Sequence, residues 1–574
     1  MPITNSKVAD IFNEVADLLE IEGANEFRVR AYRDAARTIS GLPRSLREML
    51  ADGEDLTELP GIGDDLAGKI EEIVETGSLE QLAEIRARTP PSLGKMLNIA
   101  GLGPKRVQRI HNELGVVTLD ELQEAAQTGQ IRELHGLGPK IEEKILEDLE
   151  HRAGEEERTR LDVAEELVTP LVAYLEDIDA VQRVTVAGSY RRRKETVGDI
   201  DILLISKEGE ATAAMDAFVA YEDVVAIDSR GETRSTVRLH SDLQVDVRVV
   251  PEESYGAALF YFTGSKAHNI TLRNMALDAG LKVNEYGVFR DEERVAGRTE
   301  EEIYDLFDLD YIAPELREDR GELAAAQAGE LPDLITLDDI RGDLQMHTTD
   351  SDGNASLEEM VAAARDLGHE YIAITDHSAH VGVVQGLDAD ALDEQLAQIA
   401  ALNDDLADFR VLKGVEVDIL PDGALALPDA ALAKLDVVVA SIHTKFGLSQ
   451  EKQTERVLRA LDNPHVNILA HPTGRRIGDR PPYEIDLERV MAAALERGCF
   501  LEINASPERL DLNDVYAKMA KEMGLKVVIS TDAHRPGGLS NMKYGVWQAR
   551  RGWLAADDVI NTRPWPDLKK LLQR

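Results

Sequence analysis

Between residues 337 and 574 one arrangement recurs: an apolar run of strand length ends, and a residue able to hold a metal follows it. YIAIT runs into Asp376-His377, VVVASI into His443, VNILA into His471 and VVIST into Asp532-Ala533-His534. Glu416 and Asp418 sit inside VLKGVEVDIL, and Glu502 inside CFLEIN. Helical segments such as SLEEMVAAARDLG separate these runs, the alternation of a parallel β/α domain. When parallel strands close into a barrel, their C-terminal ends share one mouth, and residues far apart in the chain become neighbours there. A lone strand-end histidine is ordinarily structural. Four strand ends carrying His or Asp-x-His predict a metal centre.

The first 152 residues have a different texture. LPGIGDDLAGKI at 59, IAGLGPKRVQRI at 99 and LHGLGPKIEEKI at 134 each place Gly, an apolar residue and Gly before an amphipathic helix. The glycines (Gly61 and Gly63, Gly101 and Gly103, Gly136 and Gly138) permit a tight turn whose amides can approach a phosphate, and the helix N-terminus adds its positive dipole end. Three copies resemble hairpin-helix-hairpin modules, which hold DNA backbone without reading sequence. Backbone amides bind phosphate whatever the net charge. That matters here, because 108 acidic against 64 basic residues give a net charge of −44, which by itself argues against nucleic-acid binding. The acid is spread along the whole chain and reads as a solvated surface, of the kind that suits a salt-rich cytoplasm.

At roughly 100 to 200 residues per domain, 574 residues imply several domains. No stretch approaches the roughly 18 apolar residues of a membrane span, and MPITNSKVADIFNEVADLLE is an acidic amphipathic helix without an apolar signal core. The expectation is a cytoplasmic monomer with no membrane contact. The single cysteine, Cys499, excludes an internal disulfide and reads as a small buried hydrophobe.

From 181 onward short apolar runs appear. In VAGSYRRRKETVGDIDILLIS, Asp199 and Asp201 stand at alternate positions where a strand begins, so their carboxylates share a face. Asp246, central in LQVDVRVV on an adjacent strand, makes a third acid. Three convergent carboxylates are a ligand set for two divalent ions that activate a 3'-hydroxyl and neutralise a leaving pyrophosphate. The Gly188-Ser189 turn and the basic run from Arg191 to Lys194 offer a cradle for a triphosphate.

With GSYRRRKETVGDID, LQVDVRVV and YFTGSKAHNITLR, residues 5 to 318 resemble an X-family DNA polymerase of the polymerase beta layout. The resemblance implies that Asp199, Asp201 and Asp246 hold two Mg2+ or Mn2+ ions. Gly188, Ser189, Arg192 and Gly198 would contact the triphosphate, Tyr261, Phe262 and Gly264 the sugar, Asn269 the minor-groove edge and Arg273 the template side. Lys266 and Gln244 depart from the beta enzyme, which has an acid and an arginine there. FRVRAYRDAARTI followed by LPGIGDDLAGKI looks like the small lyase domain of the family, placing Lys69 at the Schiff-base position and Arg28 and Tyr32 near a 5'-phosphate. A lysine attacks an abasic aldehyde if its pKa is depressed.

The segment from 337 resembles the PHP domain, a metallophosphoesterase. It implies a distorted seven-stranded barrel with three Mn2+ or Zn2+ ions held by His347, Asp352, His377, Glu416, His443, His471, Asp532 and His534. Gln345 fills a ligand position that is histidine in the general motif. A glutamine carbonyl is a weaker ligand than imidazole for zinc, though acceptable to manganese. Such a centre generates a hydroxide near neutral pH and clamps a scissile phosphate, with Arg475 in HPTGRR as a phosphate contact. His369, His380 and His465 read as structural.

The fold expectation is therefore multidomain α+β and α/β: a helical lyase-like domain (1–88), a fingers-type hairpin-helix-hairpin domain (89–152), a nucleotidyltransferase palm (153–255), a thumb (256–318), a linker (319–336) and a PHP barrel (337–574). The functional expectation is a base-excision-type repair polymerase that acts on gapped or primed DNA with deoxynucleoside triphosphates. Its C-terminal domain would add 3'-5' exonuclease activity and act on blocked 3' ends or abasic sites. The rival is a histidinol-phosphatase-like small-molecule phosphatase tethered to a DNA-binding module.

Overall fold

The computed structural model describes residues 5–40, 46–51, 53–59, 61–97, 99, 101–152, 158–379 and 386–574; His380 lies outside them. The chain forms two compact units, 1–157 and 158–574.

The first unit is helical throughout its described residues, and its apolar faces meet in one core that runs from Val8 and Phe12 to Ile145 and Leu149. The three Gly-x-Gly repeats lead into α1 (Asp64–Thr76), α2 (Pro104–Leu114) and α3 (Pro139–Arg152). The first glycine of each has positive φ, 75°, 91° and 81° for Gly61, Gly101 and Gly136, a region that side chains with a Cβ rarely enter. The residue between the glycines, Ile62, Leu102 or Leu137, is buried and pins the turn to the core. Gly63 and Gly103 are N-caps without a side chain to accept from the first-turn amides of α1 and α2, which leaves those amides for a ligand.

After a helix over Leu161–Glu176, the second unit forms a five-stranded sheet made of β1 (Val181–Val186), β2 (Asp199–Ser206), β3 (Val224–Arg230), β4 (Arg234–Leu239) and β5 (Gln244–Val249), in the order β1-β2-β5-β4-β3. Only β2 and β5 run parallel, in a register that sets Asp201 beside Asp246 and Asp199 beside Gln244. Helices α4 (Tyr255–Thr263) and α5 (Lys266–Asp278) and three short antiparallel strands between 282 and 296 follow. The stretch expected to be a linker is instead packed structure. Helix α6 (Glu322–Ala328) drives Leu323 and Ala326 into the same core as Phe260 and Ile303. Its Glu322 accepts from the amides of Asp319 and Arg320 and lies 2.7 Å from His268 Nδ1.

Beyond it lies a seven-stranded, all-parallel sheet: β6 (Gly342–Asp343), β7 (Tyr371–Ile374), β8 (Arg410–Asp418), β9 (Val437–Ser441), β10 (Ile468–Leu469), β11 (Phe500–Asn504) and β12 (Val527–Ser530). Strand order follows chain order. A parallel bridge between Met346 and Ala533, with the His347 amide donating to Ala533 O at 2.8 Å, brings the first and last strands together and nearly closes the barrel. Nearly all strand residues are buried, as expected when helices cover the outside and side chains fill the inside. The barrel packs on the palm: its Leu510 and Tyr544 enter the core formed by Val197, Ile200 and Val245.

Candidate catalytic centres

On β2 and β5 the three acids lie in adjacent register. Asp246 is fixed by Thr236 Oγ1 donating at 2.7 Å, by Gln244 Nε2 at 2.8 Å and by Arg234 at 3.3 Å. Gln244 thus orients an acid, one residue type short of the charge that an arginine would bring. Burial, then the charges of Asp199 and Asp246, push the Asp201 pKa up to about 7. Like charges held together this way fit a cation site, since a divalent ion relieves the repulsion. Gly188, at φ +62°, crosses Asp201 so closely that a Cβ would meet Oδ2 at 2.6 Å.

A cleft of about 610 Å³ opens here. Gly188, Ser189, Arg192, Tyr261, Phe262, Gly264, Asn269 and Arg273 line it together with Asp199, Asp201 and Lys266, whereas Gly198 does not. Arg158 and Ile270, which no sequence motif singled out, line it too. Ser189 Oγ and Asn269 Oδ1 are buried without a hydrogen-bond partner, while Asn269 Nδ2 donates to Tyr261 O at 2.7 Å.

The barrel mouth gathers the second set. Glu416, at the end of β8, lies within 3.1 to 3.4 Å of four imidazoles, those of His347, His377, His443 and His471. Asp532 is 3.0 Å from His347 Nε2, and Asp352 is 3.3 Å from His534 and 3.5 Å from His377. Apart from those of His471, which joins none of them, their donor atoms fall into three sets: His347, Asp352, His377 and His534; His377, Glu416 and His443; His347, Glu416 and Asp532. Histidine and carboxylate alternate in space, so each steadies the other's charge. Although burial pulls it down, Glu416 and then Asp418 raise the His443 pKa to about 10, and Asp352 and Asp532 raise His534 to about 9. Against burial, the histidines hold Asp352, Glu416 and Asp532 well below the carboxylate range. His471 (φ +29°) and Asp532 (φ +54°) are held in left-handed backbone, strain of the kind found at functional sites.

Gln345 is 1% exposed, and neither its amide oxygen nor its amide nitrogen has a hydrogen-bond partner. An orphaned buried amide is costly, so a missing partner at its oxygen fits a metal ion. Asp376, just past β7, and Glu502, in the middle of β11, serve the scaffold. Asp376 accepts from Thr348, Ser351 and Gln395, and Glu502 from the His471 amide and Asn504. Asp418 orients His443 from 2.9 Å.

Family models match in chain order: a helix-hairpin-helix domain over 3–79, a SAM-like helix-hairpin-helix tandem over 93–151, the DNA polymerase beta palm over 160–249, the DNA polymerase beta thumb over 258–318 and the PHP domain over 343–506. The "DNA polymerase/3'-5' exonuclease PolX" of Bacillus subtilis (strain 168) is 38% identical over 568 residues, 98% of each chain. The chain belongs to the X-family DNA polymerases with a C-terminal PHP domain. DNA polymerase lambda of Rattus norvegicus is 24% identical over 344 residues, 55% of this chain and 56% of that one. A probable phosphatase of Thermoanaerobacter sp. (strain X514) is 33% identical over 232 residues, 38% of this chain and 90% of its own.

Within this X-family polymerase four residues sit otherwise than their motifs implied. Arg475 does not face a substrate: it is buried, donates to both Glu195 carboxylate oxygens (3.1 and 2.6 Å) and also to Leu510 O. Of the basic run, Arg191 is paired with Glu300 and Arg193 lies over Trp547, so only Arg192 of that run lines the cleft. Lys69 pairs with Asp65 one turn away and lies 5.3 Å from the Tyr32 ring centroid. Although burial pulls it down, Asp65 and Tyr32 hold the ammonium above its ordinary pKa, opposite to what a Schiff-base nucleophile needs. The arginine that does reach the metal-ligand cluster is Arg509, whose Nε is 3.8 Å from Asp532 Oδ2 and whose Nη1 is buried without a partner. It lies in a loop after β11, in no recognisable motif.

Proposed function

We propose that this chain is a gap-filling DNA repair polymerase whose PHP centre removes nucleotides from 3' ends. The observation that carries the polymerase reading is the in-register pair Asp201–Asp246 beside Asp199 at the cleft. Mg2+ or Mn2+ at these acids would make the primer 3'-hydroxyl a better nucleophile and balance the charge of the departing pyrophosphate. The protein supplies placement. Ser189 and Arg192 bind the triphosphate, and Gly188 lets that loop approach Asp201. Tyr261, Phe262 and Gly264 hold the sugar. Asn269, steadied through Tyr261 O, keeps Oδ1 free to accept from the minor-groove edge of the new pair, and Arg273 contacts the template side. The hairpins at Gly61, Gly101 and Gly136 hold the DNA backbone through main-chain amides.

In the barrel, the three donor sets support three ions, Mn2+ or Zn2+, with Gln345 completing the set around His347. Arg509, in place of Arg475, binds the scissile phosphate next to Asp532. The test uses gapped DNA and a 3'-labelled strand. Asp199→Ala should abolish extension and retain nuclease; His443→Ala should do the reverse. Two variants that each keep both activities sink the two-centre reading. A histidinol-phosphatase-like activity would instead show as hydrolysis of a free phosphomonoester that DNA does not inhibit.

A further inference from the structure

The loop that leads from Gly188 to Asp199 is held from outside the palm at three successive places, all by the barrel domain. Arg551, the last residue of α7 (Met542–Arg551), donates to the main-chain carbonyl of Arg192 at 2.8 Å. Trp547, one turn earlier, lies 4.0 Å under the guanidinium of Arg193, whose backbone is left-handed at φ +55°. Arg475 clamps Glu195.

The first contact has a second arm. Arg551 also donates to Glu318 Oε1 at 3.1 Å, the oxygen that accepts from Arg192 Nε at 3.1 Å, and to Asp514 Oδ2 at 2.6 Å, which Arg320 bonds as well. The Arg551 side chain is 2% exposed and that of Glu318 12%, so these charges are little screened. A carboxylate 3.1 Å from Arg192 is a rival to any phosphate for that guanidinium. Sharing the same oxygen with Arg551 weakens the rival: Glu318 faces three cations at once, Arg551, Arg192 and Lys194, so its charge is not given to Arg192 alone.

We propose that Arg551 of the PHP barrel is a positioning residue for nucleotide binding in the palm: it fixes the loop through the Arg192 carbonyl and shares the Glu318 carboxylate with Arg192, loosening that carboxylate's hold so that a triphosphate can compete for the Arg192 guanidinium. This rests on the reading that Arg192 contacts the triphosphate. It makes the barrel part of the polymerase site without touching substrate. Its side-chain hydrogen bonds go to Arg192 O, Glu318 and Asp514, none of them a donor at the barrel mouth, so the nuclease centre serves as a control.

The test is steady-state extension of gapped DNA by the full-length chain, with KM for the deoxynucleotide and kcat measured separately, and nuclease activity as a control. Arg551→Ala should raise KM about tenfold, the equivalent of one charge-assisted hydrogen bond, with kcat and nuclease within about twofold of the parent. Arg551→Lys, which keeps the charge but not the forked geometry, should fall between. The discriminating variant is Arg551→Ala combined with Glu318→Gln. Removing the rival charge should bring KM most of the way back, which loss of a merely structural contact would not allow. An unchanged KM in Arg551→Ala, or a double variant as impaired as the single, overturns the proposal. If Arg551→Ala does not fold, Arg551→Lys with and without Glu318→Gln decides by the same criterion. Arg192→Ala separates the two levels: a KM it leaves unmoved sinks the triphosphate reading, whereas a KM raised by Arg192→Ala but not by the Arg551 variants sinks only the positioning role.

Discussion

The palm and the barrel hold metal-binding residues in opposite electrostatic states. The palm places carboxylates beside carboxylates on two paired strands, so that Asp201 is pushed to about 7 by burial and its neighbours. The barrel interleaves carboxylates with imidazoles from many strand ends, so acids are held low and His443 and His534 high. Without a cation, the first arrangement repels itself and the second neutralises itself. A palm built this way gains from a bound cation, which relieves the repulsion among its acids. A barrel built this way offsets its own charges before any cation binds.

The contrast breaks or stands on a pair of variants with opposite stability signs. Asp201→Asn should lower extension more than ~100-fold, beyond what outer ligand partners usually contribute, yet raise the melting temperature of metal-free protein. Glu416→Gln should lower nuclease activity comparably while lowering that melting temperature, because His377 and His443 lose the carboxylate that most favours their charged form. Melting in EDTA with both activities measured checks this. If both variants shift stability in the same direction, the comparison fails.

A smaller effect is expected from pH on the metal-free barrel. His443 and His534 have folded pKa values near 10 and 9 against an ordinary 6.5, so their contribution is complete below 6.5 and is lost as pH rises to 9 and 10. Asp352, Glu416 and Asp532 have depressed values, so theirs is lost as pH falls below the ordinary carboxylate range. Barrel stability in EDTA should therefore be greatest at about pH 5 to 6.5 and decline toward pH 10. With Mn2+ the decline should be shallower. A flat alkaline limb in EDTA would show that the imidazoles are neutral in the folded state.

A third comparison concerns the two arginines near the mouth. Arg475→Ala breaks a partly buried pair and a bond to Leu510 O and should destabilise the chain by about 2 kcal/mol while leaving nuclease within a few-fold. Arg509→Ala should do the converse, lowering nuclease about tenfold to a hundredfold with little change in melting. Exchange of those outcomes would restore Arg475 as the phosphate contact.

What was legible in the sequence follows from how each site is built. The palm acids were readable because strand alternation is local, and His377, His443, His471, Asp532 and His534 because they follow apolar runs, so the motif carries both the residue and its position. The partner of a long side chain is not local. Nothing in HPTGRR tells that Arg475 turns toward Glu195, 280 residues upstream, or that Arg193 stacks on Trp547. The stretch at 320–336 misled for another reason: Ala-rich and Gly-bounded, it looks like a spacer, and only Leu323 and Ala326, three residues apart on one face, show that α6 belongs to a core. Arg509 gave no signal, because it reaches the metal-ligand cluster from a loop whose course, past Leu510 at φ +41°, is set by the packing of barrel against palm.

The smallest expected effect lies at Gln345, where the barrel's own pattern is broken. Its main chain is tied to the rest of the mouth, with the Asp532 amide donating to Gln345 O at 3.0 Å and the Gln345 amide to Asp343 Oδ1 at 3.2 Å. Its side chain, buried and without a partner, sits one strand repeat before His347. An amide oxygen is a harder donor than imidazole nitrogen, so it weakens zinc at this position more than manganese. Gln345→His should therefore tighten one of three zinc ions about tenfold, measured by competition with a chromophoric chelator, and change Mn2+ affinity less. Equal shifts for both metals would mean that the substitution acts through packing, and unchanged zinc affinity would remove Gln345 from the ligand set altogether, leaving its buried amide without a partner of any kind.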